Sequence, residues 1–355
     1  MFARLSLPGL LYALCAVLPS NAQMAGLRPA PSVQMPAQVD SNSPVFWRGQ
    51  QVRVVNSANS PVISDGDSQF DWQGPRSVAI DQRDEYGLWI EAAWTDSDGS
   101  IYAWYHHEPS ACGGQLVMPE IGALVSRDGG DSFINLGPVL TGSAPPDCGS
   151  QNGFFAGGHG DFSVIFDPRT RYFYFLFGNY GGPVEEQGVA IARMPFDHRD
   201  SPSGAVWKYY GGKWREPGLG GRTTPVFQAR VSWQDPATES FWGPSIHWNT
   251  FLQTYVILMN RSCCRPDWPQ EGIYISFNRY LNQPERWTAP ERILERPQAY
   301  YPQVVGLGSG GTDTVAGEVA RLYVQGVSKW EIVFRRTDNR PSAVTPPDQQ
   351  SVTSP

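Results

Sequence analysis

DFSVIFDPRTRYFYFLFGN, residues 161–179, sets an inner strand that opens on an acid, then a tight turn, then an aromatic-rich strand. The same order recurs in IEAAWTDSDGSIYAWYHHE from Ile90 and PSIHWNTFLQTYVILMNRS from Pro244, and more loosely in YPQVVG, ARLYVQG and WEIVFRR from Tyr301 onward. Glu91 to Tyr102, Asp161 to Tyr172 and Pro244 to Tyr255 are each eleven residues apart. A third strand follows in register after loops of unequal length: IGALVS from Ile121, QGVAIAR from Gln187 and EGIYISF from Glu271. A repeated sheet that cannot bury both faces alone must stack on its neighbours, and radial stacking gives a propeller with a central channel. Barrels and sandwiches space their hairpins evenly, whereas this unit recurs at roughly 50 to 80 residues with fixed internal order. The reading is an all-β, five-bladed β-propeller in a single domain: four clear units plus the segment from Val45 to Ile80, with FWRGQQVRVVNS and PRSVAI closing the ring.

The composition agrees. With 37 Gly, 31 Pro and 13% aromatic residues against 17% charged, the chain is turn-rich and neither helical nor disordered in character. A formal charge of -7 and the lack of a Lys/Arg stripe exclude a nucleic-acid partner and favour a neutral or cationic small ligand. Residues 1–22 read as a secretory signal: Arg4, an apolar run from Leu10 to Leu18, and small Ser20 and Ala22 before the cut. The apolar run is too short to span a bilayer, so no membrane association is expected and the product is secreted or periplasmic. Cys15 falls in the signal. The other four cysteines allow three pairings, of which Cys112 with Cys148 and Cys263 with Cys264 is one. Residues 23–43, rich in Pro, Ala, Gln and Ser, read as a flexible linker, 44–336 as the propeller and 337–355 as a disordered tail. Cys and His lack metal-ligand spacing, so no cofactor is expected, and nothing implies a partner chain beyond a monomer.

Strand parity selects the functional face. An inner strand runs across the disc and the second returns, so the loop before the third strand shares a face with the start of the first. Asp161, Glu91 and His159 then share a face with Glu271, Glu185 and Glu186, while the acids of the turns at Asp96 and Asp167 lie opposite as turn formers. In NGFFAGGHGDFSVI four glycines surround His159 and Asp161, which permits a sharp turn and a close ligand, so Asp161 is the leading catalytic candidate. Its competing role is to accept backbone N–H bonds at a blade junction. Glu271, beside Trp268 and Pro269, has an apolar setting suited to a general acid, or is a solvated loop acid. Glu91, in an apolar strand, is functional or paired with an arginine such as Arg76. Ser245, His247 and Asn249 alternate along one strand and read as a hydrogen-bonding row for a hydroxyl-rich ligand, with Trp72, Trp94, Trp242, Trp248 and Trp268 as stacking candidates. His106 and His107, before Glu108, stand at a strand end with one facing the cleft, and neither is assigned to catalysis. SRDGGDSF from Ser126 fits the Asp-box hairpin pattern, which bears on fold rather than activity.

The acid-led inner strands, GPSIHWNTFLQTYVILMN and GIYISFNRYLNQPERWTAPERIL resemble the five-bladed propeller glycosidases of the arabinanase-like group, over roughly residues 45 to 336. That resemblance implies an exported glycoside hydrolase with acids at the starts of channel strands: Asp161 and Glu271 as base or nucleophile and acid, and Glu91 as a third acid tuning pKa. No acid motif opens the first blade between Val45 and Asp71. Sialidases are a more distant likeness, since the Arg-Ile-Pro segment is absent. The alternative function is a non-catalytic, lectin-like carbohydrate-binding propeller using the Ser245, His247, Asn249 row, and a lyase or a purely structural surface protein is a third reading. Sugar, linkage and stereochemical course are not written in the chain.

Overall fold

The computed structural model describes residues 24–81, 87–263, 269–297 and 299–336. The signal at 1–22, the tail at 337–355, Cys264 and Trp268 lie outside them. Among the described residues the helical segments are single 3-10 turns, and everything else regular is strand. No described helix is long and apolar enough to cross a membrane.

Five sheets form the five blades. From the channel outward, the first is Val45–Arg48, Gln51–Ser57, Pro61–Ser68 and Asp71–Trp72; the second is Leu88–Thr95, Ile101–His107, Glu120–Ser126 and Ser132–Leu140. The third starts from His159–Asp167 and Tyr172–Asn179, the fourth from Ser240–Asn249 and Thr254–Ser262, and the fifth from Pro302–Gly306 and Val319–Val324. The turn that joins first to second strand falls where the spacing of eleven places it: Asp167 pairs with Tyr172 and Asn249 with Thr254.

Each blade alternates its side chains between two neighbours, so the core is a set of wedges between blades. Phe46 and Ile63 meet Ile90 and Phe133; Trp104 and Ile121 meet Phe173 and Phe175. Further round, Tyr174 and Ile191 meet Ile257, Leu258 meets Leu322, and Val305 meets Val54, which brings the ring back to its start. The ring thus needs no separate central core.

Closure corrects one sequence reading. Residues 25–34 are not linker: Ala25–Gln34 is the outermost strand of the fifth blade, antiparallel to Val327–Phe334, with Leu27 opposite Ile332. Pro29 and Pro31 masked it, because proline suggests a linker, yet an outermost strand tolerates proline since its free edge needs no donor. FWRGQQVRVVNS builds the first blade, and PRSVAI contributes Arg76–Ser77 to that blade and Ala79–Asp81 to the next, so neither closes the ring.

The Asp box forms the hairpin its pattern predicts, between Glu120–Ser126 and Ser132–Leu140. Asp128 accepts from the Asp131 and Ser132 N–H groups at 3.1 and 3.0 Å and from the Ser132 hydroxyl at 2.6 Å, and Phe133 is buried between blades. Of the open cysteine pairings, Cys112 is bonded to Cys148.

Candidate active site

An inner strand of a propeller shows the channel its edge, while its side chains point sideways at the adjacent blades. This geometry overturns the proposed polar row. His247 is fully buried with its ring against Phe334, 5.6 Å between centroids, and burial pushes its pKa down to about 3. Asn249 caps the following turn, accepting from Phe251 N–H and Leu252 N–H at 3.1 and 2.7 Å, and donates to the Gly317 carbonyl at 2.9 Å. Ser245 is buried in the same row. The three do not line a channel.

Side chains reach the channel where the ladder breaks. Pairing shifts between Ile90 and Ala92, between Gly160 and Phe162, and between Trp242 and Ser245. The residues in those gaps include Glu91 and Asp161. A bulged residue is unpaired and its side chain is re-aimed; Asp161 also has a φ of +42°, in the region that a non-glycine residue seldom occupies.

Asp161 lines a pocket of about 400 Å³ at the channel mouth. Two further acids join it: Asp40, ahead of the first blade, and Glu108, at the end of the second strand of the second blade. His106 lies among them, its Nε2 3.8 Å from a Glu108 oxygen. Trp89, Trp233, Trp242, Tyr300 and Tyr301 form much of the wall. Trp89 stacks on His106 at 4.8 Å, Phe155 stacks on Tyr180 at 4.3 Å, and Trp242 is fixed by its indole N–H donating to Ser262 Oγ at 2.9 Å.

Glu91 sits behind this pocket, 1% exposed, against His106 Nδ1, and accepts from the Phe162 N–H at 3.1 Å. Burial pushes the Glu91 carboxyl well up, against the lowering effect of the Phe162 N–H, and pushes the His106 imidazole down. Asp161 is pushed up to about 6, first by burial and then by Glu91, with Tyr180, whose hydroxyl donates to Oδ2, opposing the rise. Removal from water also raises Glu108 and Asp40, with His106 opposing in both. Asp40 is the exposed member of the three, Glu108 is half-buried and Asp161 is buried.

Two loops make the rim. The hairpin Ser110–Ala111 with Leu116–Val117 and the segment through Phe154 and Phe155 are joined by the Cys112–Cys148 bond and by Val117 N–H to the Phe154 carbonyl at 2.8 Å.

The remaining candidates lie elsewhere. Glu271 is not at the pocket: it receives Arg261 Nη1 at 2.5 Å and the Tyr274 hydroxyl at 2.8 Å on the third strand of the fourth blade. Its flanking Trp268 and Pro269 suggested an apolar acid, but Arg261 from the adjacent strand answers the charge. Arg76 does not pair with Glu91; it bridges Asp65 and Asp131, each at 2.7 Å, on the outer side of the first two blades. His159 is buried, accepting at Nε2 from Lys208 Nζ at 2.8 Å and donating from Nδ1 to the Gly158 carbonyl at 3.0 Å. Of the residues singled out from the sequence, Asp161 and Trp242 line the pocket, Glu91 lies behind it, and Trp72, Trp94 and Trp248 do not line it; Asp40, Glu108, Tyr180 and Trp233 were not singled out. Asp40 carried a usable signal: an acid in DSNS ahead of the VFW strand repeats the acid-led pattern, hidden by the proline-rich context.

No family model and no curated protein matches this chain. Solved structures do. The exo-β-1,3-galactanase of Clostridium thermocellum superposes with a TM-score of 0.50 at 12% identity, over 84% of this chain and 62% of its own. The chain therefore spans less than two thirds of that protein's length. A putative exo-β-1,3-galactanase from Bifidobacterium bifidum gives 0.49 at 13%, over 84% and 87% of the two chains. An exo-1,5-α-L-arabinanase from a bovine ruminal metagenomic library gives 0.49 at 12%, over 85% and 97%. The likeness is one of fold, the five-bladed propeller.

Proposed function

We propose that the protein is an exported glycoside hydrolase whose working carboxyls are Asp161 and Asp40. The observation that carries this reading is the meeting, in one aromatic-walled pocket, of acids from three separate segments of the ring, one of them buried and raised to about 6. Two carboxyls in unlike environments are what glycosidic hydrolysis requires. Asp161, protonated in mildly acidic water, donates its proton to the leaving oxygen. Asp40, the most solvent-exposed of the three acids, takes up a proton from the attacking water as general base. Glu91 takes no proton from substrate; as a buried acid behind Asp161 it keeps that carboxyl protonated. The indoles and phenols of the wall stack on sugar rings. The apolar run at 10–18 and the Cys112–Cys148 bond support export.

Reducing-sugar release by the purified exported protein, against arabinans, galactans, xylans, sialosides and bacterial wall glycans, tests the reading. Release that falls at least a hundredfold in Asp161→Asn and in Asp40→Asn is the expected result. Binding to the same glycans without release replaces the hydrolase by a carbohydrate-binding propeller.

A further inference from the structure

The segment that leads into the first blade is bonded to other blades through Asn42 and Ser43. Asn42 is 4% exposed, and its amide nitrogen donates to the Phe162 carbonyl at 2.7 Å and to the Pro244 carbonyl at 2.8 Å, in the third and fourth blades. Its backbone N–H faces Glu91 of the second blade and holds that carboxyl's pKa down against burial. The next residue, Ser43, donates its N–H to Gln303 Oε1 at 2.8 Å and accepts from Gln303 Nε2, which adds the fifth blade. Asn42 itself leads into the first. Asn42 and Ser43 therefore bond the segment entering the first blade to the third, fourth and fifth blades, beside Glu91 of the second.

Asn42 is linked to both working carboxyls through the chain. Asp40 is two residues before Asn42, and Asp161 immediately precedes Phe162. Phe162 is clamped on both sides: its N–H by Glu91 and its carbonyl by Asn42. A left-handed backbone at a non-glycine residue such as Asp161 persists only where its surroundings over-determine it, and this clamp supplies the constraint. The chemistry also explains the residue type. Both acceptors are carbonyls, so the group between them must offer two N–H donors from one nitrogen, which an amide provides and a carboxylate or hydroxyl does not.

We propose that Asn42 is a positioning residue that fixes Asp161, and through the shared chain Asp40, in their working geometry. The proposal rests on the glycosidase reading only for its catalytic consequence. The groups facing Asp161 are Glu91, His106, Tyr180, Asp40, Glu108 and Tyr301; without the Asn42 clamp the bulge relaxes, water reaches the carboxyl, and its burial is relieved.

The test is ¹³C-carboxyl NMR of aspartate-labelled protein, with the Asp161 signal assigned by its loss in Asp161→Asn and near-UV circular dichroism confirming the fold. Asn42→Ala is expected to lower the Asp161 midpoint by one unit or more, and Asn42→Ser, which keeps a single donor and serves should the alanine variant not fold, by a smaller amount. On any glycan the wild type cleaves, kcat falls at least tenfold with KM within twofold. An Asp161 midpoint unmoved in a folded variant overturns the positioning role. A moved midpoint in a protein that cleaves no glycan upholds the role and removes the glycosidase reading instead.

Discussion

Asp161 is held against its own ionisation, and this has a cost that pH should expose. Its folded pKa, about 6, lies above the ordinary 3.8. The folded state therefore binds the proton more tightly than the unfolded state; the stabilisation from the protonated form is complete below about 4 and is lost as pH rises through 6. A rise of that size corresponds to roughly 3 kcal/mol at neutral pH. Asparagine imitates the neutral acid, so Asp161→Asn should be more stable than wild type above pH 7 and equal to it below pH 4, read as the difference in urea midpoint. A difference that does not vary with pH would separate Asp161 from the buried environment described above. The same residue shows how far sequence reaches at this scale. Glycines around Asp161 announced an unusual backbone, and the bulge confirms it. The row at Ser245, His247 and Asn249 had the right alternation, but alternation cannot say whether a strand's faces meet solvent or the neighbouring blades.

At the scale of elements, the pocket rim is stapled from outside the blades. Cys112 and Cys148 are 36 residues apart and join two loops that share few other bonds. A cross-link over that length restricts the unfolded chain by an amount equivalent to about 4 kcal/mol. The double variant Cys112→Ser with Cys148→Ser should lose part of this globally and the rest as local opening, seen as faster amide exchange at Val117, Phe154 and Ala156 with the blade strands still protected. Exchange unchanged at those three amides would mean that the backbone bonds alone hold the rim. Repetition made the blades legible, since a turn and a register recur with them. The rim was not legible, because its loops differ in every blade and four cysteines leave three pairings open. The third acid of the pocket, Glu108, sits where such a loop begins, which is why only the fold brings it to Asp161.

The whole molecule depends on its ends. A propeller must join its last blade to its first, and here the first described strand, Ala25–Gln34, completes the last sheet. Ala25 is buried with Leu258 and Leu322 between the fourth and fifth blades, and Leu27 packs on the same cluster. Only then does the chain pass Asp40 and Asn42 into the first blade, so ring closure and assembly of the pocket are consecutive events along one segment. Removing residues 24–34 would leave Val327–Phe334 with an unpaired edge, open to pairing with other chains. The loss of ladder bonds and of the Ala25 and Leu27 contacts is worth several kcal/mol, or on the order of 10 °C in a domain of this size. The shortened protein should therefore melt lower and elute partly as oligomers on size exclusion. Asp161 should also titrate differently in it, because Asn42 is then anchored from one side only. If melting and elution match the full chain, closure rests on the inter-blade wedges rather than on the added strand, and the proline-rich segment is an ornament of the fifth blade.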